Sequence, residues 1–391
     1  MRDTDTIRRR SARKWAGSRP PLHTHGVVVS YPRGQAENLK SHEAVTRRAL
    51  AERLAVLKGY DYAGDYDSAC VYEGSLYLVP GETLVGVDTA KALGIASSDD
   101  FFGGVVPFPF VGTKTITHPL VGAHAQAPEG WSGEFARAVR RSVLPGYSAF
   151  SREDAQFAGE CLLEQGPVRV KPALAIGGRG QVVVFDAAAL SSVLETINLQ
   201  ELERCGVVIE QNLTDVTTFS VGQVQVDDLV ATYFGTQKLA TDHGGAQVYG
   251  GSDLTVARGD FDALLALDID SDICGAIEQA RSYDAAARRC FAGFFASRRN
   301  YDIVRGRGPG GALHFGVLEQ SWRIGGASGA EIAALEAFQA DPALCFVRAE
   351  CTEVYGENAR PPRDAVVHFR GEDAEVGFLT KYTILEPYAD A

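Results

Sequence analysis

Val168-Arg169-Val170-Lys171-Pro172, followed by Ala175-Ile176-Gly177-Gly178-Arg179-Gly180-Gln181-Val182-Val183-Val184, decides the fold. Two short β-branched runs flank a glycine-rich tip, which predicts a hairpin. Glycines without Cβ let backbone N–H groups approach phosphate oxygens closely. Lys171, at the end of the incoming strand, can add a point charge to the same phosphates. The plain alternative is a flexible hairpin with an exposed lysine. A P-loop is excluded, because no GxxxxGK[ST] is present and the lysine precedes the glycines. No G-x-G-x-x-G joins a strand to a helix here, which disfavours a Rossmann dinucleotide site.

Before the hairpin, a helix is predicted over 152–165, with Ser151 as N-cap, Asp154 as the acidic arm of a capping box, and Gly166-Pro167 as its stop. After it come a helix over 187–204 and a strand over 207–210. Strands follow over 219–226 and 229–234, then a polar, glycine-rich connection over 241–252 and helices over 261–267 and 272–296. Near the N-terminus, the strand Gly26–Tyr31, a Pro32-Arg33-Gly34 turn and a helix over 41–57 begin an open α/β sheet. The segment 101–113, rich in Gly, Pro and Phe, reads as a boundary between units. These elements divide the chain into a flexible tail (1–22), an N-terminal α/β domain (23–112), a central region (113–213, its hairpin unit from about 145) and a C-terminal domain (214–391).

A second constellation lies near the end. Asp302 sits inside the apolar strand Tyr301-Asp302-Ile303-Val304, and Glu319 ends Phe315-Gly316-Val317-Leu318-Glu319. Adjacent antiparallel strands can set both carboxylates on one face, where their repulsion calls for a counter-charge. Magnesium supplies one, since it binds through one or two carboxylates plus substrate phosphates. Equally open is pairing with a nearby arginine: Arg298, Arg299, Arg305 or Arg307. Ser321, Arg323 and the Gly325-Gly326 pair follow directly, adding a hydroxyl, a guanidinium and a close-packing step.

Bulk properties bound the reading. The 391 residues exceed a single core and suggest two or three packed units. A formal charge of -12, from 50 acidic and 38 basic residues, argues against a broad nucleic-acid or anionic-membrane surface. Seven scattered cysteines without a CxxC fit reduced thiols, and no apolar run reaches a membrane span, so a soluble, cytoplasmic protein is expected. His23 and His25 form a His-x-His without an evident third ligand. His118 and His124 flank Lys114, and a satisfied surface histidine is the commoner outcome for either.

In this order, these pieces resemble the ATP-grasp superfamily, its biotin carboxylase-like branch in particular, and a bacterial ATP-grasp family without assigned activity. The resemblance covers roughly residues 114–336. It implies an α/β fold with mixed α+β elements: an N-terminal open α/β domain, a lid subdomain and a C-terminal mixed-sheet domain. Lys171 and Gly177, Gly178, Arg179 and Gly180 match the mobile lid over the ATP phosphates. Val208-Ile209-Glu210-Gln211-Asn212-Leu213 matches the hinge to adenine, with Glu210, Gln211 and Leu213 as nucleotide contacts. Lys114, in Gly112-Thr113-Lys114-Thr115, matches the lysine reaching the α-phosphate.

The same resemblance makes Asp302 and Glu319 the magnesium carboxylates and Arg323 the arginine that holds phosphate or acceptor. Lys238 is a further candidate for the acceptor site. The family usually has x-Asn-x-Arg after the glutamate, where this chain has Gln320-Ser321-Trp322-Arg323. Ser321 keeps an oxygen ligand but is shorter and lacks the amide carbonyl, which weakens a second metal site. The implied cofactors are ATP and one or two Mg2+ ions. The implied partners are a small-molecule carboxylate and a nucleophile, with no nucleic acid or membrane; a homodimer would fit the superfamily. The implied reaction is phosphoryl transfer to the carboxylate, giving an acylphosphate that an amine or other nucleophile attacks. The competing reading is a degenerate nucleotide-binding module with a regulatory or partner-binding role.

Overall fold

The computed structural model describes residues 26–34, 37–175 and 180–386. The tail, His23 and His25, and lid residues Gly177, Gly178 and Arg179 lie outside the described residues.

The N-terminal sheet is parallel, in the order β2-β1-β3, from β1 (Gly26–Tyr31), β2 (Asp61–Asp65) and β3 (Ser75–Pro80). Between β1 and β2 runs α1 (His42–Lys58), whose N-cap Ser41 accepts the Ala44 N–H and whose C-cap Gly59 takes the left-handed φ of 67° that glycine permits. Strand β2 reads Asp-Tyr-Ala-Gly-Asp, too polar for an apolar run, and only its pairing with β1 makes it a strand. A short helix, α2 (Val87–Ala92), follows β4 (Leu84–Val85). With β5 (Gly104–Val106) and β13 (Phe295–Ala296), β4 forms a small sheet.

Segment 101–113 is therefore interior rather than linker-like. Phe101, Phe102, Val105, Val106, Phe110 and Val111 are all buried. Its glycines serve close approach, since a Cβ on Gly104 would stand 2.6 Å from the Trp322 side chain.

Helix α3 (Gly133–Val139) leads into a four-stranded sheet of order β6-β9-β7-β8: β6 (Gly146–Ala149), β7 (Val168–Pro172), β8 (Val182–Val184) and β9 (Val207–Gln211). The predicted hairpin is β7–β8, paired from Val168↔Val184 to Val170↔Val182. Helix α4 (Arg152–Leu163) starts at Ser151 as expected, although the Asp154 carboxylate accepts from Ser151 Oγ and the Gln126 N–H instead of closing a capping box. The expected helix over 187–204 is two helices, α5 (Ala187–Thr196) and α6 (Leu199–Cys205). Ile197 is extended and Asn198 caps the second, because an Asx side chain offers the backbone a fresh start.

An eight-stranded antiparallel sheet dominates the rest, in the order β15-β14-β10-β11-β12-β16-β18-β17. Its strands are β10 (Thr214–Val226), β11 (Leu229–Thr241), β12 (Gln247–Arg258), β14 (Arg298–Arg307), β15 (Leu313–Ser321), β16 (Phe346–Tyr355), β17 (Val366–Asp373) and β18 (Gly377–Glu386). Much of the stretch expected as a polar connection is thus strand β12, and Gly251, at φ 137°, lets it run against β16 where a Cβ would meet the Cys351 carbonyl at 2.1 Å.

Helices α7 (Phe261–Leu265) and α8 (Ser271–Cys290) cover one face of this sheet, and α9 (Ser328–Ala340) lies on the other. Helix α8 stops well short of residue 296, because Phe291 is extended and Gly293 has φ 85°. One core cluster joins Leu50, Leu54 and Tyr77 of the N-terminal layer to Tyr233, Leu254, Ile332 and Phe338. That shared core fixes α1 and β1 against the large sheet and leaves a cleft between them.

Candidate functional site

The cleft has a volume of about 740 Å³, ample for a nucleotide and a small co-substrate. Its walls bring together Lys171, Glu210, Gln211, Leu213, Asp302, Glu319, Ser321 and Arg323.

The hinge side is built by β9, which lies between β6 and β7 so that all five of its residues are buried. Arg169 and Glu210 are cross-strand partners, and Lys171, two residues along the same face of β7, reaches Glu210 with Nζ 2.9 Å from Oε1. Both side chains are about 2% exposed. The second carboxylate oxygen lies 3.2 Å from His118 Nε2. Burial alone would raise the Glu210 carboxyl, but Lys171 and His118 outweigh it and bring it down to about 2. Beside it, the Gln211 side-chain oxygen is buried in the cleft wall without a hydrogen-bond partner among the described residues. A buried acceptor in that position takes a donor from water or from a ligand.

The opposite wall is built by β10, β14 and β15. Register sets Ser220, Asp302 and Glu319 in a row across the three strands. Asp302 Oδ1 accepts from Gln237 Nε2 at 2.8 Å, Asn300 Nδ2 at 2.9 Å and Ser220 Oγ at 3.4 Å. Among the described residues, all the hydrogen bonds that the Asp302 carboxylate receives fall on this one oxygen. Burial first, and Glu319 second, push the Asp302 carboxyl up to about 6 against those hydrogen bonds and the charge of Arg298. Glu319 pairs with Lys114, whose Nζ is 2.9 Å from Oε2 and 2.6 Å from the Ala175 carbonyl. Lys114 therefore bridges the carboxylate strand and the root of the hairpin loop.

Two facing carboxylates suit a hard divalent cation. No group of three or more His, Cys, Asp or Glu side chains placed to hold a metal ion occurs among the described residues. An ion between Asp302 and Glu319 would take its remaining oxygens from phosphate and water, which is the usual habit of magnesium.

Below the pair lies a buried polar layer. Arg298 Nε and Nη2 donate to Glu331, and its Nη1 donates to Ser321 Oγ at 3.2 Å, the Ser321 carbonyl at 3.1 Å and the Arg323 carbonyl at 2.7 Å. Burial alone would lower the Arg298 guanidinium, but Glu331 and Tyr233 carry it above its ordinary value. Among the described residues no arginine pairs with Asp302 or Glu319: Arg298 pairs with Glu331, Arg299 with Asp284, Arg305 with Asp272 and Arg307 with Asp215. Arg323 faces the cleft with Glu82 at 3.6 Å, and burial, helped by Arg33, lowers it. The chain can pass so close here because Gly326 has no Cβ; one would stand 2.4 Å from the Tyr249 ring.

Lys238 is a sequence candidate that does not reach the cleft; Lys114 and Gly180 do not line it either, but Lys114 contacts it through Glu319. Lys238 makes ion pairs with Asp253 and Glu350 on the other face of the sheet, while its neighbours Gln237 and Leu239 line the cleft. Strand alternation, with a period of two, decides this. Gly180 has φ 68° at the end of the lid loop, whose other glycines are outside the described residues. His118 is wholly buried, not a surface histidine. Ser220, Gln237, Asn300 and Glu331 were not singled out from sequence, and Arg298 was named there only as a possible partner of the carboxylates. Asn300 could have been found, two residues before Asp302 on one strand face; the others depend on register.

Known structures share this architecture. An N5-carboxyaminoimidazole synthetase from Staphylococcus aureus is 12% identical, with 93% of each chain covered and a TM-score of 0.53. The same enzyme complexed with ADP gives 12% identity, 92% of this chain, 93% of that one and a TM-score of 0.55. No curated protein matches in sequence. The chain has the ATP-grasp fold, as its hairpin and carboxylate strands led us to expect. It belongs to the family described as "Protein of unknown function (DUF3182)", whose model matches residues 28–383.

Proposed function

We propose that the chain is an ATP- and Mg2+-dependent ligase that activates a small-molecule carboxylate as an acylphosphate for attack by an amine or other nucleophile. The observation that carries this reading is the Asp302–Glu319 pair, facing across β14 and β15 in the cleft that also holds Lys171 and the Gln211 oxygen, unpartnered among the described residues.

Gln211, Leu213 and the backbone of β9 would hold the base. Lys171 and Lys114 would lie along the phosphates and offset their charge. Magnesium, when bound, would neutralise phosphate charge between Asp302 and Glu319. Arg323, beside Arg33, supports an anionic group on the acceptor side and orients it for attack. In this scheme residues 23–112, 113–213 and 214–391 act as the three walls of one site, and the chain works in the cytoplasm on small molecules.

The test is thermal unfolding with Mg2+ plus a non-hydrolysable ATP analogue, beside Mg2+ alone and a GTP analogue. At about 100 times Kd the ligand should stabilise by roughly 2.7 kcal/mol. A selective, Mg2+-dependent shift supports the site, and the absence of any shift at millimolar analogue rejects it. Ser321, in place of the asparagine usual in such enzymes, favours a second reading: a nucleotide-binding module that shows the shift and releases no phosphate with any carboxylate and amine offered.

A further inference from the structure

The layer beneath the carboxylates bears on how many cations the cleft takes, and it rests on the nucleotide reading above. Ser321 follows Glu319 by two residues on β15, so its hydroxyl lies on the same face and lines the cleft. By position alone it offers an oxygen to a second ion. Its surroundings say otherwise. Ser321 Oγ, the Ser321 carbonyl and the Arg323 carbonyl all accept from a single atom, Arg298 Nη1, at 3.2, 3.1 and 2.7 Å.

Arg298 has no freedom to withdraw. Its side chain is about 2% exposed, and Glu331, wholly buried on α9, takes Nε and Nη2. Glu331 is held in turn by the Tyr233 hydroxyl, whose single hydrogen is shared between Glu331 Oε1 and Asn300 Oδ1. Asn300 passes the constraint on to Asp302 through its amide, at 2.9 Å. One connected layer thus runs from Glu331 through Tyr233 and Asn300 to Asp302, and through Arg298 to Ser321.

A divalent ion bonds its oxygens at about 2.1 Å. An ion on Ser321 Oγ would therefore lie within about 5 Å of Arg298 Nη1, two cationic centres sharing one small oxygen. The Glu331 charge lies on the far side of the guanidinium and leaves Nη1 facing the serine.

We propose that this cleft takes a single divalent cation, between Asp302 and Glu319, and that Arg298, clamped by Glu331, holds the place beside Ser321 that a second cation would need. Arg298 and Glu331 are positioning residues: they fix Asn300, Asp302 and the Ser321–Arg323 turn without touching the cation.

The test counts Mn2+ on the wild-type chain by equilibrium dialysis with a saturating imido analogue of ATP, with the bound ion examined by electron paramagnetic resonance. One Mn2+ per bound nucleotide, with an uncoupled six-line spectrum, is expected. Two per nucleotide, or a spin-coupled spectrum from ions about 3.5–4 Å apart, overturns the proposal while leaving the nucleotide site intact. No bound nucleotide and no bound Mn2+ rejects the ligase reading and this inference with it. Ser321→Ala, which leaves the Arg298–Glu331 clamp in place, should keep the single Mn2+ with Kd changed less than threefold. A tenfold weakening in that variant would make Ser321 a ligand and overturn the assignment.

Discussion

Asp302 and Glu319 stand directly opposite each other on β14 and β15, and a bulge interrupts the ladder immediately after Asp302. In the proposed ligase their charges are offset by magnesium and phosphate together. Glu319→Gln should still fold, since Glu319 is about a quarter exposed, although it strands the buried charge of Lys114, its ion-pair partner among the described residues. It should lose the Mg2+-dependent part of nucleotide stabilisation, at most about 2.7 kcal/mol at 100 times Kd. Thermal unfolding with and without Mg2+ reads this directly. A wild-type shift would remove Glu319 from the metal site.

Lys171 and Glu210 form a buried pair, and removing one charge strands the other. Lys171→Met should destabilise the chain by roughly 3–5 kcal/mol, and Lys171→Met combined with Glu210→Gln should recover much of that loss. Urea midpoints of the two variants measure it. Equal losses in both would mean that the pairing contributes little.

Glu210 also gives the chain an acid limit. Its carboxyl is held at about 2 against an ordinary 4.5, so its stabilising contribution is complete above pH 4.5 and disappears as pH falls toward 2. Glu210→Gln should flatten the stability profile in that window, measured as urea midpoint against pH.

His368 acts in a higher window. It is buried against Thr383, with Nε2 2.8 Å from Oγ1, and burial, aided by Arg53 and Lys381, lowers it from 6.5 to about 4. The neutral ring is the one the fold accepts. Stability is therefore full above pH 6.5 and declines as pH falls through 4, by up to about 3 kcal/mol. His368→Gln should remove most of that slope; an unchanged slope between pH 6.5 and 4 would assign it to other groups.

Lys238 and Gln237 separate the two faces of β11. Lys238→Ala removes partly exposed ion pairs and should cost no more than about 1 kcal/mol with nucleotide binding unchanged. Gln237→Leu takes a donor from Asp302 and should weaken Mg2+-dependent nucleotide binding about tenfold. Calorimetric titration of both variants distinguishes the faces, and a reversed pattern would contradict the strand alternation described here.

Local patterns carried much of this architecture. The β7–β8 hairpin was legible because valines flank a glycine tip, and α4 because Ser151 caps it. β2 was not, because its five residues carry no apolar alternation and become a strand only beside β1. The 101–113 segment looked like a boundary because its glycines and prolines resemble loop chemistry. In the folded chain those glycines admit Trp322 and its phenylalanines fill the core.

The sequence by itself determined the order of the elements and the residue types that carry charge: Lys171, Glu210, Asp302, Glu319 and Arg323 stand in runs whose periodicity is local. Tertiary structure alone decided which of them meet and what surrounds them. It buried His118 against Glu210, turned Lys238 away from the cleft and Gln237 into it, and set Arg298 behind Ser321. The reason is that a contact across a sheet depends on register, and a shift of one residue exchanges its faces. Register is fixed by the packing of distant elements such as α9 against β11 and β16.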